Sequence, residues 1–286
     1  RPRTLCRRQR QPSQEEPPRK MKPELRPDLR PAVSDEANDP ANDDHTLAVT
    51  LSGGGAFGAA HVGVLQVLEE RGIRPGIVTG TSSGALVGSG YAAGLDGEAL
   101  ERVARGFRWG KIARWTAKPR WGLLDTRVIA GALRGLFGED PLIEELPRRF
   151  GAVATDLRSR RTVILDKGRL SLALRATIAV PGLLPPVRVH GRLLADGGMI
   201  DNVPHTAARK LGAERVIVVH LHAKWENVRM MRTVTQTADL ASDPSVVLVQ
   251  PEMERMAQWT MRDTPRLIAE GRRAATVALD RAELQP

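Results

Sequence analysis

The sequence predicts an α/β domain: three layers, α/β/α, around a central and mostly parallel sheet. Length is the first reason, because 286 residues suffice for one large domain with its own core. The second is a buried strand at residues 46–52 that passes through a run of glycines into a helix at 59–71. The third is another apolar strand, Pro75-Gly76-Ile77-Val78-Thr79, that passes through Gly80-Thr81-Ser82-Ser83-Gly84 into a helix of small residues. Two strand–turn–helix units in succession give parallel strands with helices over the faces of the sheet.

The chain before residue 47 differs in composition. It holds 8 of the 20 prolines and no Phe, Trp or Tyr. Residues 1–30 carry ten Lys or Arg against four acids, and residues 31–46 carry five acids and no Lys or Arg. Such a stretch cannot bury enough apolar surface to offset the entropy of ordering it. Residues 1–46 are therefore expected to be a disordered tail, and 47–286 the folded domain. The tail has no apolar core of the kind a secretory signal needs. With one cysteine, Cys6, the chain forms no internal disulfide, and a reducing, cytoplasmic location is expected. No run approaches the roughly 18 apolar residues of a membrane span. The net charge of +10 suits nucleic acid, anionic lipid or solubility alike. Aromatics make up only 3% of the chain, which argues against a base-stacking surface, and nucleic acid is not an expected partner.

The glycine run, Gly53-Gly54-Gly55-Ala56-Phe57-Gly58, matches G-x-G-x-x-G letter for letter. A dinucleotide site would need an acidic residue at the end of the second strand, about 20 positions on. That strand delivers Ser82 instead, and Glu69 and Glu70 sit on the helix. A phosphate loop would need Lys-Ser or Lys-Thr after the glycines, and neither is there. Three glycines at a strand end, opening a helix, present backbone N–H groups with no side chain in the way. Gly53, Gly54 and Gly55 are thus candidate donors for the oxyanion of an acyl-transfer intermediate. The neighbouring Gly80-Thr81-Ser82-Ser83-Gly84 spells a nucleophile elbow. Small residues flank a serine with strained backbone, whose hydroxyl stands clear of the sheet at the positive end of a helix.

A serine nucleophile needs a base. His45 lies in the tail, His61 in the first helix turn, His190 on a polar strand edge and His205 in a helix after Pro204. His220 and His222 end the strand at 215–219, where the histidine of a triad could sit. Asp196 ends an apolar strand, Leu193-Leu194-Ala195-Asp196, and is followed by Gly197-Gly198. On the residues alone, Asp196 is either a turn former or a base, and a triad through His220 or His222 stays open beside it.

Taken in order, Gly53–Gly58, Gly80–Gly84 and Asp196-Gly197-Gly198 resemble the motifs of a bacterial patatin-like phospholipase. Ala154-Thr155-Asp156-Leu157, the stretch 175–187 and Asn202-Val203-Pro204 support the resemblance, which covers roughly residues 47–220. It implies a patatin-like sandwich and a serine lipid acyl hydrolase of the phospholipase A or lipid esterase kind. It also implies a dyad of Ser82 as nucleophile and Asp196 as base, an oxyanion hole from Gly53, Gly54 and Gly55, and no catalytic histidine. The substrate class would be phospholipid or another lipid ester. No metal-ligand cluster is visible and no cofactor is expected. The family usually has Arg or Lys after the glycines, in G-G-G-x-[RK]-G, where this chain has Phe57. That departure keeps a non-catalytic lipid-binding protein open as the alternative.

Residues 95–150 are expected to be mostly helical. Nine Lys or Arg and one acid fall between 102 and 134, together with Trp109, Trp115 and Trp121. Asp125 is expected to cap the next helix. Strands at 153–154 and 162–165 are joined by a polar turn in which Asp156 is structural. A helix at 169–179 ends at Pro181, a second spans 204–211, strands follow at 215–221 and 246–249, and 251–284 is helical. Residues 105–121 are the expected membrane-facing lid, because Trp suits the bilayer interface and basic side chains attract anionic head groups. A peripheral position at the inner membrane face follows from it.

Overall fold

The computed structural model describes residues 42–108, 114–115, 124–126, 128–222 and 237–282. The order of elements begins with β1 (Asp44–Leu51), α1 (Ala59–Glu70), β2 (Pro75–Thr81), α2 (Ser83–Ala92) and α3 (Gly97–Arg105). A short pair, β3 (Arg114–Trp115) and β4 (Leu124–Asp125), precedes α4 (Ile129–Phe137). Then come β5 (Arg149–Asp156), β6 (Arg161–Leu165), α5 (Leu170–Thr177), β7 (Val187–Val189) and β8 (Arg192–Asp196). The chain continues through α6 (His205–Lys210), β9 (Arg215–Val219), α7 (Thr237–Ser242), β10 (Val246–Val249) and α8 (Thr264–Arg281).

The main sheet has eight strands and runs β10-β9-β1-β2-β5-β8-β7, with β6 paired to β5. β10, β9, β1, β2 and β5 are mutually parallel. β6 and β8 run antiparallel to β5, and β7 antiparallel to β8. The sheet is therefore mostly parallel, with an antiparallel margin beyond β5. Parallel strands are buried on both faces, and alternation along β1 sends its side chains to two cores. Val49 and Leu51 join α1, α2, α5 and α8 on one face. Ala48 joins Ala208 of α6 and Leu240 of α7 on the other. Helix α8 closes the first face against α1 at two glycines. A Cβ on Gly63 would stand 2.0 Å from the Ile268 carbonyl oxygen, and one on Gly271 would stand 1.9 Å from that of Ala60. Only glycine lets the two backbones approach so closely.

Three local expectations change. The first strand starts at Asp44, inside the stretch assigned to the tail. Asp44 Oδ1 accepts the Thr46 N–H at 2.8 Å and Asp44 Oδ2 accepts from Arg215 at 2.8 Å. Asp43 is buried against Arg148, with Nε 3.0 Å from Oδ2. Asp125 lies in β4 rather than capping a helix, and α4 begins at Ile129. Residues 251–263 hold no α-helix. Arg255 there adopts φ +59°, a left-handed conformation that interrupts a helix, and the Gln258 carbonyl accepts the Ala56 N–H at 2.8 Å instead.

Candidate active site

Ser82 follows the last residue of β2 and has φ +52° and ψ −119°. A non-glycine residue holds such a conformation only where its surroundings enforce it. Two contacts explain the glycines around it. A Cβ on Gly80 would meet Ala85 N at 2.5 Å, and one on Gly84 would meet the Leu51 carbonyl oxygen at 2.2 Å. The Ser82 N–H donates to Thr177 Oγ1 at 2.9 Å, and the Thr177 hydroxyl donates to the Val153 carbonyl. Helix α5 thus clamps the elbow onto β5. Thr177 was not singled out from sequence. Its signal was a hydroxyl at the C-terminal end of a helix, inside the 175–187 stretch.

Register brings Asp196 to this point. Thr81 pairs with Val153, and Asp196 pairs with the next residue of β5, Ala154. Residues 152–156 of β5 also pair with β6. β6 therefore takes one edge of β5, and β2 and β8 share the other, end to end. Asp196 is 1% exposed, and its Oδ1 accepts the Gly198 N–H at 2.8 Å. Burial raises its carboxyl pKa to about 6, while the Gly198 N–H and the Ser82 hydroxyl pull it back down. Asp196 Oδ2 is buried and makes no hydrogen bond of good geometry among the described residues. Catalytic hydrogen bonds of unliganded enzymes are often loose in this way.

The glycine loop lies against the elbow. A Cβ on Gly53 would stand 3.3 Å from Ser82 Cβ. Its amides are not equivalent. Gly53 N–H donates to the Asn202 carbonyl at 3.2 Å, and Asn202 Nδ2 returns a bond to the Gly53 carbonyl at 3.2 Å. Gly54 N–H donates to Ser83 Oγ at 3.0 Å. Gly55, at φ +62°, makes no hydrogen bond through its N–H among the described residues. Behind the loop, His61 is fully buried and its Nε2 donates to the Ser52 carbonyl at 2.8 Å. Burial lowers the ring pKa to about 4, so it is neutral near pH 7. Phe57 is fully buried in the core. The loop is thus seated by an aromatic side chain where the family usually has a cation.

The segment after Asp196 ties these parts together. Thr81 Oγ1 donates to the Asp201 carbonyl at 2.9 Å, and Thr79 Oγ1 to the Pro204 carbonyl at 3.2 Å. His220 and His222 lie elsewhere. Their rings are 3.9 Å apart, and the Gln250 amide donates to His222 Nε2 at 2.6 Å. They follow β9, and β1 lies between β9 and β2. Two strand spacings, about 9–10 Å, separate them from the line of Ser82. Next to the site, a cavity of about 760 Å³ runs between α2, α3 and α4. Gly55 and Ser83 line it together with the apolar Leu86, Val103, Leu133 and Phe137. Most of the expected lid, 105–121, falls outside the described residues. No described helix is long and apolar enough to cross a membrane.

A strained serine between a parallel strand and a helix, beside a glycine loop and a buried carboxylate, defines an elbow-type α/β domain. The chain belongs to the patatin-like phospholipase family, whose model matches residues 49–209. An uncharacterized NTE family protein of Mycobacterium tuberculosis is 35% identical over 224 residues, covering 70% of this chain and 60% of that protein. Patatin-like phospholipase domain-containing protein 6 of Mus musculus is 34% identical over 191 residues, covering 64% of this chain and 14% of that protein. The chain thus spans less than two thirds of the relatives it matches. Among solved structures, VipD from Legionella pneumophila superposes with a TM-score of 0.49 at 15% identity, covering 83% of this chain and 67% of that one.

Proposed function

We propose that this chain is a serine lipid acyl hydrolase working through a Ser82–Asp196 dyad. The observation that carries the reading is the strained Ser82 and the buried Asp196 carboxylate brought together on one edge of β5, where burial raises the carboxyl pKa to about 6. A base of that pKa is ionised near neutral pH yet basic enough to take a proton. Ser82 Oγ attacks the ester carbonyl, and its proton passes to Asp196 Oδ2. Gly55 N–H, with Ser83 N–H at the start of α2, receives the oxyanion. The intermediate collapses, and the alcohol leaves with the proton from Asp196. Asp196 then takes a proton from water, which attacks the acyl-serine; as the acyl–Oγ bond breaks, Asp196 returns the proton to Ser82 Oγ and the fatty acid is freed. The apolar cavity beside Gly55 has the size of a ligand site, within about 300–1,000 Å³, and suits the acyl chain.

Such an enzyme draws substrate from an aggregate, so part of its surface meets a bilayer. Residues 105–121 remain one candidate, on the strength of Trp109, Lys111, Arg114, Trp115 and Lys118. The hydrolase reading is tested by labelling with a fluorophosphonate probe and mapping the adduct. Ser82 should carry it and Ser82→Ala should carry none. An adduct on another residue, or none on folded parent protein, overturns the reading.

A further inference from the structure

Two exposed leucines stand side by side at one end of the sheet. Among the described residues five large apolar side chains stand exposed: Leu157, Leu183, Leu193, Trp259 and Val277. Two of them are neighbours across strands. Leu157 N–H donates to the Leu193 carbonyl at 3.0 Å, extending the β5–β8 ladder past Asp156 and Leu194. Arg188 pairs with Leu193 in the β7–β8 hairpin, and paired residues on adjacent strands share a face. That hairpin turns through His190 at φ +46° and Gly191 at φ +78°. Two successive positive φ values make a tight type I′ turn, so the tip is short and stiff.

The adjacent β5–β6 turn adds charge. Arg158, Arg160 and Arg192 are exposed, as is Arg188. The one carboxylate within the turn, Asp156, accepts backbone N–H groups from Arg158 at 2.9 Å and Ser159 at 3.4 Å. None of these four arginines makes an ion pair among the described residues, whereas Arg102 and Arg105 of α3 and Arg272 and Arg273 of α8 all do. Both tips project from the C-terminal end of β5, the end that holds Ser82 and Asp196. Leu193 precedes Asp196 by three residues on β8, about 10 Å of strand.

We propose that these two hairpin tips dock the protein on an anionic phospholipid bilayer. Leu157 and Leu193 enter the headgroup boundary, while Arg158, Arg160, Arg188 and Arg192 engage lipid phosphates. Arginine presents a planar fork of donors that matches phosphate oxygens, and basic side chains near an anionic surface contribute about 1 kcal/mol each. A nucleic acid would use the arginines but leave two exposed leucines without a role. The purpose of the docking rests on the lipid-hydrolase reading; the docking itself does not.

The test is sedimentation of the full chain with vesicles of phosphatidylcholine, pure or with one third phosphatidylglycerol. The parent should bind the anionic vesicles far more tightly, and added salt should weaken binding as it screens the charges. Changing Arg158, Arg160, Arg188 and Arg192 together to Ser should weaken anionic binding by roughly 10³-fold, and changing all four to Lys should retain most of it. Leu157→Asn with Leu193→Asn should weaken binding to both vesicle types. A monomeric, water-soluble ester should be turned over equally by parent and variants, which also shows that they fold. If the parent ignores anionic lipid, or the four-Ser variant binds like the parent, the proposal falls. It falls too if those arginines govern binding to RNA and not to vesicles. If the parent docks but cleaves neither the soluble ester nor the vesicle phospholipid, the hydrolase reading fails and the docking stands.

Discussion

Thr81 and Asp196 stand against successive residues of one strand, Val153 and Ala154 of β5. The strand that leads into the candidate nucleophile and the strand that ends in the candidate base therefore lie end to end along one edge of β5. Their separation is set by backbone hydrogen bonds, with Thr177 holding the elbow to the same strand through Val153.

This arrangement separates dyad from triad. Asp196→Asn should reduce kcat for ester hydrolysis by roughly 10²–10⁴-fold, the range for a general base. The double change His220→Ala, His222→Ala should leave it within a few fold. Steady-state kinetics on a soluble ester decide. The reverse pattern would make one of the histidines the base.

Protonation of Asp196 gives a second expectation. Activity should rise with pH through about 6 as the carboxyl ionises. A histidine base would titrate in a similar range, so the profile has meaning only beside the variants above. Stability is more telling. The folded pKa of about 6 lies above the ordinary aspartate value of 3.8, so the folded state holds this proton more tightly than the unfolded chain. The contribution to stability is full below about pH 4 and is lost as pH rises through about 6. Asp196→Asn should therefore raise Tm at pH 8 relative to the parent, and not at pH 4. Calorimetry at the two pH values checks it, and an unchanged or lower Tm at pH 8 would contradict it.

Ser83 follows the candidate nucleophile, and its Oγ accepts the Gly54 N–H at 3.0 Å. Ser83→Ala leaves a buried donor without its partner, at a cost of about 1–3 kcal/mol. It also loosens the elbow from the glycine loop. Lower Tm and a several-fold lower kcat are expected, with Ser83→Thr, which keeps the hydroxyl, closer to the parent. Full activity and stability in Ser83→Ala would remove any role for this bond.

Phe57 marks the departure from the family pattern. Because it is fully buried, restoring the usual cation with Phe57→Arg would place an unpaired charge in the core, where it costs several kcal/mol. That variant should fail to fold, while Phe57→Leu should fold and keep most activity. Expression and Tm of the two variants check the expectation, and a stable, active Phe57→Arg protein would refute it.

The edge of the domain is testable by truncation. Breaking a buried ion pair by removing one partner costs about 3–5 kcal/mol. A chain starting at residue 42 keeps the Asp43–Arg148 pair and should melt near the parent's Tm. A chain starting at residue 47 loses it and should melt well below. Equal Tm values would place the boundary back at 46/47.

What could be read in advance was spelled locally. Strand, glycine and serine stand within a few residues of each other at Gly53–Gly58 and Gly80–Gly84, so their geometry follows from short-range backbone constraints. Asp196 was legible as a strand end before two glycines, but not its position beside Ser82, which depends on β2 and β8 sharing an edge of β5. Donors that look alike in sequence divide in the fold: Gly53 and Gly54 are bonded to Asn202 and Ser83, and Gly55 faces the cavity. The first strand was placed too late because Asp43 and Arg148 are 105 residues apart, and neither charge announces the other.

The close seating of α8 on α1 sets a timetable. The helix that opens behind the glycine loop has its backbone neighbour only when Gly271 is present, some 200 residues after Gly63 has been made. Domains acquire such long-range contacts late, after the local elements exist. On a growing chain the elbow and glycine loop are synthesised long before the helix that packs against α1. A pulse-labelled nascent chain should become protease-resistant only once α8 has cleared the ribosome. Until then the candidate active site would stand on the ribosome without the helix that packs behind it.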